Sequence, residues 1–183
     1  KKSDKRVLGI VGSPRRGGNT ETLVDEVLRG AEEAGGLTGK VILNELEIAP
    51  CQACDACGQT GECVQQDDMP ALLEQMQRSQ VWVLGTPVYW WGPTAQFKAF
   101  LDRWYGVERE VFAGRRVVLV IPLGGGASYA THAVGMLTDI TNYLGMKLVE
   151  TVLAPGVHGP GAVRGHAAVL AKARRAGREA IEM

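Results

Sequence analysis

Cys51, Cys54, Cys57 and Cys63 are the only cysteines of this 183-residue chain, and they fall within thirteen positions, in the run CQACDACGQTGEC. Thiols spaced C-x2-C-x2-C-x5-C can bind a metal, take part in redox chemistry or pair as disulfides. Zinc sites usually draw two ligand pairs from separated knuckles, whereas successive x2 gaps without a long spacer match the compact runs that hold iron-sulfur clusters. A [4Fe-4S] cluster needs four thiolates and four are present, with Gly58 and Gly61 letting the last ligand fold back. Zinc, and cysteines that are reduced, oxidised or disulfide-linked with no metal, stay open as alternatives. Cysteines packed into one loop of a chain without an export signal favour metal or redox chemistry in a reducing compartment, so a cytoplasmic protein is expected.

A second candidate is GSPRRGGNTET, residues 12 to 22, between an apolar run and a helical pattern. It lacks the G-x-G-x-x-G of dinucleotide sites, and Gly18-Asn19 stands where a Walker loop needs Lys followed by Ser or Thr. What remains is a set of donors at a helix N-terminus, where free amides and the helix dipole favour an anion. Ser13, Arg15, Asn19 and Thr20 suit a terminal phosphate monoester; the plainer alternative is that Asn19 or Thr20 caps the helix. Further on, Pro87, Val88, Tyr89 and Trp90 form an aromatic loop bounded by Pro and Gly, a flat wall with backbone amides able to address a heterocycle. Trp91 reads better as a core or subunit-contact residue. Gly124, Gly125 and Gly126 would let a ligand approach the backbone closely. His132, His158 and His166 are scattered without metal-pair spacing, and no side chain stands out as an acid, base or nucleophile.

These loops need a frame. Strand-length apolar runs recur at 7–11, 41–43, 81–85, 117–121 and 148–153, several of them continuous, as in a parallel sheet buried on both faces. Helical patterns lie between them: Leu23, Val24, Val27, Leu28 and Ala31 share one face, Phe97, Phe100, Leu101 and Trp104 another, and segments 67–78, 129–144 and 162–181 complete the set. The alternation predicts an α/β doubly wound five-stranded parallel sheet in three α/β/α layers, with ligands beyond the carboxyl ends of the strands. A single domain over 1–183, with a cysteine-rich loop at 50–65, accounts for the whole chain. Twenty basic and twenty acidic residues give zero net charge, which argues against nucleic acid and acidic membranes as partners. Lys98, Asp102 and Arg103 read as surface pairing or dimer contacts. Arg164, Lys172, Arg174, Arg175 and Arg178 read as a solvated face of the last helix.

Strand-GSPR-x-GGNT-helix resembles the phosphate loop of the flavodoxin-like NAD(P)H-dependent FMN reductases. DDMPALLEQM (67–76) and GTPVYWWGPTAQFKAFLDRW (85–104) resemble that family's next two signatures, in the correct order over about residues 6–125. The cysteine spacing is similar to that of its iron-sulfur flavoprotein branch. The resemblance implies a flavodoxin-like fold binding FMN, its phosphate at Ser13, Arg15, Asn19 and Thr20 and its ring bordered by Pro87, Val88, Tyr89, Trp90, Gly124, Gly125 and Gly126. It implies a [4Fe-4S] cluster on the four cysteines, NAD(P)H as a possible donor, a small-molecule or protein redox partner, and a homodimer or homotetramer. The chemistry would then belong to FMN rather than to any catalytic side chain. A cluster-free FMN or quinone reductase, a flavin-dependent dehydrogenase of a specific metabolite and a non-enzymatic electron-transfer protein are the competing readings.

Overall fold

Continuous Val, Leu and Ile runs become strands with both faces covered. The computed structural model describes residues 4–183; residues 1–3, the charged start of the expected domain, lie outside the described residues. Among the described residues five parallel strands, β1 (Arg6–Val11), β2 (Leu37–Ile42), β3 (Val81–Gly85), β4 (Arg116–Pro122) and β5 (Lys147–Ala154), line up in the order β2-β1-β3-β4-β5. That is the flavodoxin-like doubly wound order, whose switch point lies between β1 and β3.

Alternation along each central strand feeds two cores. Val7, Val11, Val81, Val83, Val118 and Val120 face α1 (Asn19–Glu33) and the last helix, while Leu8, Ile10, Trp82, Leu84, Leu119 and Ile121 face the opposite layer. Between α1 and that other layer the chain adds α2 (Ala56–Thr60), a short helix inside the cysteine loop that the apolar pattern does not announce. The other layer is built from α3 (Met69–Gln77), α4 (Ala95–Asp102) and α5 (Thr131–Tyr143); α6 (Ala167–Glu182) closes the first. Trp82 is fully buried, packs edge-on against Phe112 at 5.8 Å and donates its indole N–H to Met76 O at 2.9 Å. Truncating it to Ala would cost about 3–5 kcal/mol.

Two expectations need correcting here. The second strand occupies Leu37–Ile42, not 41–43, because it is an edge strand paired only with β1 and mostly open to solvent, so it carries no long apolar run. The basic face of α6 is not simply solvated. Arg174 forks onto Glu26 at 2.9 and 2.7 Å, Arg178 pairs with Glu33 at 2.7 Å and Lys172 with Glu150 at 3.2 Å, tying α6 to α1 and β5. Gly30 and Gly177 allow that approach: a Cβ on either would run into the backbone of the facing helix.

Candidate functional site

Four loops meet beyond the carboxyl ends of the strands. The first, residues 12–18, leaves β1 through Gly12, whose N–H donates to Gly85 O at 2.7 Å. A Cβ at Gly12 would lie 2.5 Å from the Phe97 ring, so only glycine lets this loop and α4 touch. Ser13 is buried and accepts Arg15 N–H at 3.2 Å, whereas the Arg15 guanidinium is exposed and has no partner among the described residues.

Asn19 and Thr20 do not cap the helix. α1 starts after Gly18 with no side-chain cap, and its first helical amide bond is Thr22 N–H to Gly18 O at 3.0 Å, which leaves the N–H groups of Asn19, Thr20 and Glu21 open to an anion. Thr20 is buried, its methyl close to the position a Cβ on Gly85 would take. The Thr22 hydroxyl is buried without a partner among the described residues. Glu21 accepts Gly17 N–H at 2.7 Å and Lys40 Nζ at 2.8 Å. Burial would raise its pKa, but the hydrogen bonds from Lys40 and Gly17, then the charges of Lys40 and Arg16, hold it below the ordinary carboxylate value. Its charge is thereby compensated beside the open amides.

The Asn19 side chain is spent on a fourth loop that the sequence reading missed, residues 155–166 after β5. It donates to Val157 O at 3.2 Å and Gly159 O at 2.9 Å and accepts Val163 N–H at 3.0 Å, and Arg164 donates to Gly17 O at 3.1 Å. Arg164 is therefore a loop clamp rather than part of a solvated helix. The signal was the Pro/Gly run PGVHGPG, whose Gly156, Gly159 and Gly161 all take positive φ.

The third and fourth strands supply the remaining walls. Thr94 caps α4 by accepting Phe97 N–H at 3.2 Å and donates its hydroxyl to Gly12 O at 2.5 Å, joining the β3 loop to the β1 loop. Tyr89 and Gly92 exchange backbone hydrogen bonds at 2.9 and 3.0 Å around Trp90 and Trp91, both with positive φ, as a two-residue hairpin of the primed kind demands. Asn-Gly is the usual choice there; a side chain as large as Trp costs about 1–2 kcal/mol per residue in that conformation. Trp90 is 92% exposed and Trp91 46%, so Trp91 is not a core residue. Its ring meets the Tyr129 ring edge-on at 5.8 Å, and Tyr129, unnoticed in the sequence, lies over Gly125. Val88, Trp90, Trp91, Leu123, Gly124, Gly125 and Tyr129 line an open cavity of about 320 Å³. Of the expected ring-binding set, Pro87, Tyr89 and Gly126 lie outside that lining, although Pro87 and Tyr89 belong to the same loop and Gly126 follows directly.

The cysteine loop is built differently. Its stem is closed by Asp68, which takes Glu47 N–H at 2.7 Å and returns its own N–H to Glu47 O at 2.9 Å, and by Asp67, which accepts Ala49 N–H at 3.0 Å. Arg103 crosses this stem, bonding Asp67 and, at 3.1 Å, Ala49 O. Only 4% of Arg103 is exposed, which corrects its reading as a surface or dimer residue; Lys98 and Asp102 do form the expected exposed pair at 2.6 Å. Burial alone would lower the Arg103 pKa, but the hydrogen bond and charge of Asp67, and then the thiol of Cys63, raise it. Asp67 is held low in turn: burial opposes ionisation, and bonds from Arg103, Met69 N–H and Ala49 N–H overcome it.

Inside the loop Ala53, Asp55 and Gly61 have positive φ, and Ala53 N–H donates to Cys51 Sγ at 3.4 Å. All four thiols are free, and Cys57 packs against Gly106. Tyr105 donates to Asp55 at 3.0 Å, and that bond raises the phenol's pKa. The donor set suits an iron-sulfur cluster: four unpaired thiols, three of them exposed, with an amide already directed at one sulfur. As positioned, no group of three His, Cys, Asp or Glu side chains among the described residues converges on a metal-binding point. The loop leaves the same sheet edge as the others, but Cys57 and Cys63 lie by the segment just past the far end of α4, at Arg103 and Gly106, roughly 12 Å of helix away from Thr94.

Comparison with known proteins bears on both halves. The family model described as NADPH-dependent FMN reductase matches residues 5–158. An iron-sulfur flavoprotein of Archaeoglobus fulgidus is 33% identical over 82% of this chain and 65% of its own length. One from Methanosarcina thermophila is 37% identical over 66% and 63%. The chain thus spans just under two thirds of these relatives. Among solved structures, an NAD(P)H:quinone oxidoreductase from Methanothermobacter marburgensis superposes with a TM-score of 0.76 at 20% identity, covering 96% of this chain and 98% of that one, which supports the fold. No helix of the described residues is long and apolar enough to cross a membrane. A matched family model over most of the chain, and relatives that carry the same name, lead to one conclusion: the chain belongs to the NADPH-dependent FMN reductase family, in its iron-sulfur flavoprotein branch.

Proposed function

We propose that the protein is an FMN-dependent oxidoreductase of the iron-sulfur flavoprotein type, drawing on NAD(P)H or another donor and passing electrons between a flavin and a [4Fe-4S] cluster. The observation that carries the proposal is the presence of four free thiols in one stem-closed loop on an FMN reductase fold. Bound FMN would supply two-electron hydride chemistry with single-electron release, and the cluster one-electron exchange.

The chain's own residues would do the holding. Open amides at the start of α1, the Ser13 and Thr20 hydroxyls and the unpaired Arg15 guanidinium would take the phosphate. Asn19 would act indirectly, by pinning the loop to residues 157–163. Val88, Trp90, Gly124 and Gly125, flanked by Pro87, Tyr89 and Gly126, would border the ring and exclude water from one side of it. Cys51, Cys54, Cys57 and Cys63 would ligate the cluster after the loop rearranges around it. Residues 1–183 would act as one domain, assembled as a homodimer or homotetramer as the family resemblance implies.

A second reading has its own support. Because no three ligands converge as the loop stands, the same fold could work as an NAD(P)H-dependent FMN or quinone reductase with metal-free cysteines. Anaerobic purification followed by an absorption spectrum and by FMN, iron and sulfide quantitation separates the two. FMN with about four iron and four sulfide per chain is the expected result. Yellow protein without iron would leave the second reading, and protein unable to bind FMN would end both.

A further inference from the structure

Arg103 is held in a way that stem closure alone does not explain. Its Nη1 bonds Asp67 and Ala49 O, and those two bonds suffice to join the ends of the loop. Its Nε and Nη2 are also buried, and neither has a hydrogen-bond partner among the described residues. Two desolvated donors of a cation left unspent are costly unless an acceptor arrives. The cavity beside that guanidinium, of about 520 Å³, is lined by Cys63 together with Arg103, Gly61, Glu62 and Gly106.

We infer that Arg103 is a positioning residue for the last cysteine ligand. Through Nη1 it locks the stem, and through Nε and Nη2 it presents a fixed positive charge and two N–H donors to the sulfur of Cys63 and the cluster face beside it. The inference rests on the cluster reading above. Its physical consequence is a bias in potential. A thiolate-ligated cluster held there would gain one negative charge on one-electron reduction, and Arg103, a buried cation with donors toward its sulfur, would stabilise that reduced state most. Arginine suits the task because it stays protonated and its planar fork can serve Asp67 and a sulfur at once. Lysine could supply the charge but not both sets of bonds.

The test uses anaerobically purified full-length protein, with wild type, Arg103→Gln and Arg103→Lys compared by FMN, iron and sulfide content and by spectroscopic redox titration. Wild type containing FMN but no iron would remove the cluster reading, and this inference with it. With iron in the wild type, Arg103→Gln should keep FMN and shift the cluster's reduction equilibrium at least tenfold toward the oxidised form, about 59 mV more negative for one electron. Arg103→Lys should recover much of that shift. If Arg103→Gln cannot hold iron while Arg103→Lys can, the requirement for charge is equally supported. An unchanged potential in Arg103→Gln, or equal loss of iron in both variants with FMN retained, would overturn the role and leave Arg103 as a stem fastener only.

Discussion

The flavin-side loops and the cysteine loop leave the same sheet edge but are finished to different degrees. Between the first, third and fifth strands' loops the backbone is stitched: Gly12 to Gly85, Thr94 to Gly12, Asn19 to Val157, Gly159 and Val163. In the cysteine loop the ties to the rest of the fold are the stem and the Tyr105–Asp55 bond, the remaining bonds stay within the loop, and the thiols are free and mostly exposed. The first set of loops is preorganised, as the proposed FMN site would require. The other has its ends fixed and its thiols uncommitted, as the proposed cluster would require of a loop that takes its final shape around it.

The contrast can be broken from either side. Gly12→Val should do the most damage, because its Cβ collides with Phe97 in a buried contact. Overpacking of that kind costs about 1–3 kcal/mol, and FMN affinity should fall at least a hundredfold in a fluorescence titration while iron binding persists. Cys57→Ser should give the mirror image, with iron lost, FMN retained and the thermal midpoint of the iron-free protein nearly unchanged. Loss of flavin along with iron would mean the two regions are not independent. Thr94→Val removes both the α4 cap and the bond to Gly12 O; about 1–2 kcal/mol of stability should go with it, read by denaturant unfolding, with weaker FMN binding.

Acid should sharpen the same distinction. Asp67 has a folded pKa below its unfolded value of about 3.9, so its contribution to the stem is complete above that value and is lost as pH falls through the lower folded one. Protection of the Ala49 amide, measured against its intrinsic exchange rate at each pH, should therefore fall below about pH 4 in wild type, and Asp67→Asn should abolish that dependence. Glu21, lowered in the same sense, predicts a parallel loosening at Gly17. The smallest effect should be a gain: Trp91→Gly relieves a positive-φ tryptophan and should stabilise the fold by about 1 kcal/mol in thermal unfolding. A loss there would show that the Trp91–Tyr129 contact outweighs the strain.

Sequence patterning reveals what repeats along the chain and little of what meets across it. The central strands, the phosphate-type loop and the cysteine run were legible because each is a local pattern of apolar residues, glycines or thiols. β2 was shifted because an edge strand with one neighbour has no apolar run to display. Arg103 looked like a surface residue because a basic residue near Lys98 and Asp102 carries no mark of burial. Its partners Asp67 and Ala49 lie 36 and 54 positions away. Asn19 stands out in the sequence as a phosphate donor, yet its side-chain bonds go 138 to 144 residues downstream. Tyr129 was passed over and Arg164 read as solvated for the same reason, both being informative only through contacts made across the fold.

The closed stem also bears on how such proteins diversify. Glu47 and Asp68 bond reciprocally, and Ala49 is held by Asp67, so the sheet receives the same two anchor points whatever lies between them. Doubling the length of a flexible loop adds only about 0.6 kcal/mol of closure entropy. The segment between these posts can therefore lengthen, shorten or shed its cysteines with little penalty to the flavin-side architecture, which makes the cysteine loop an exchangeable module on a constant chassis.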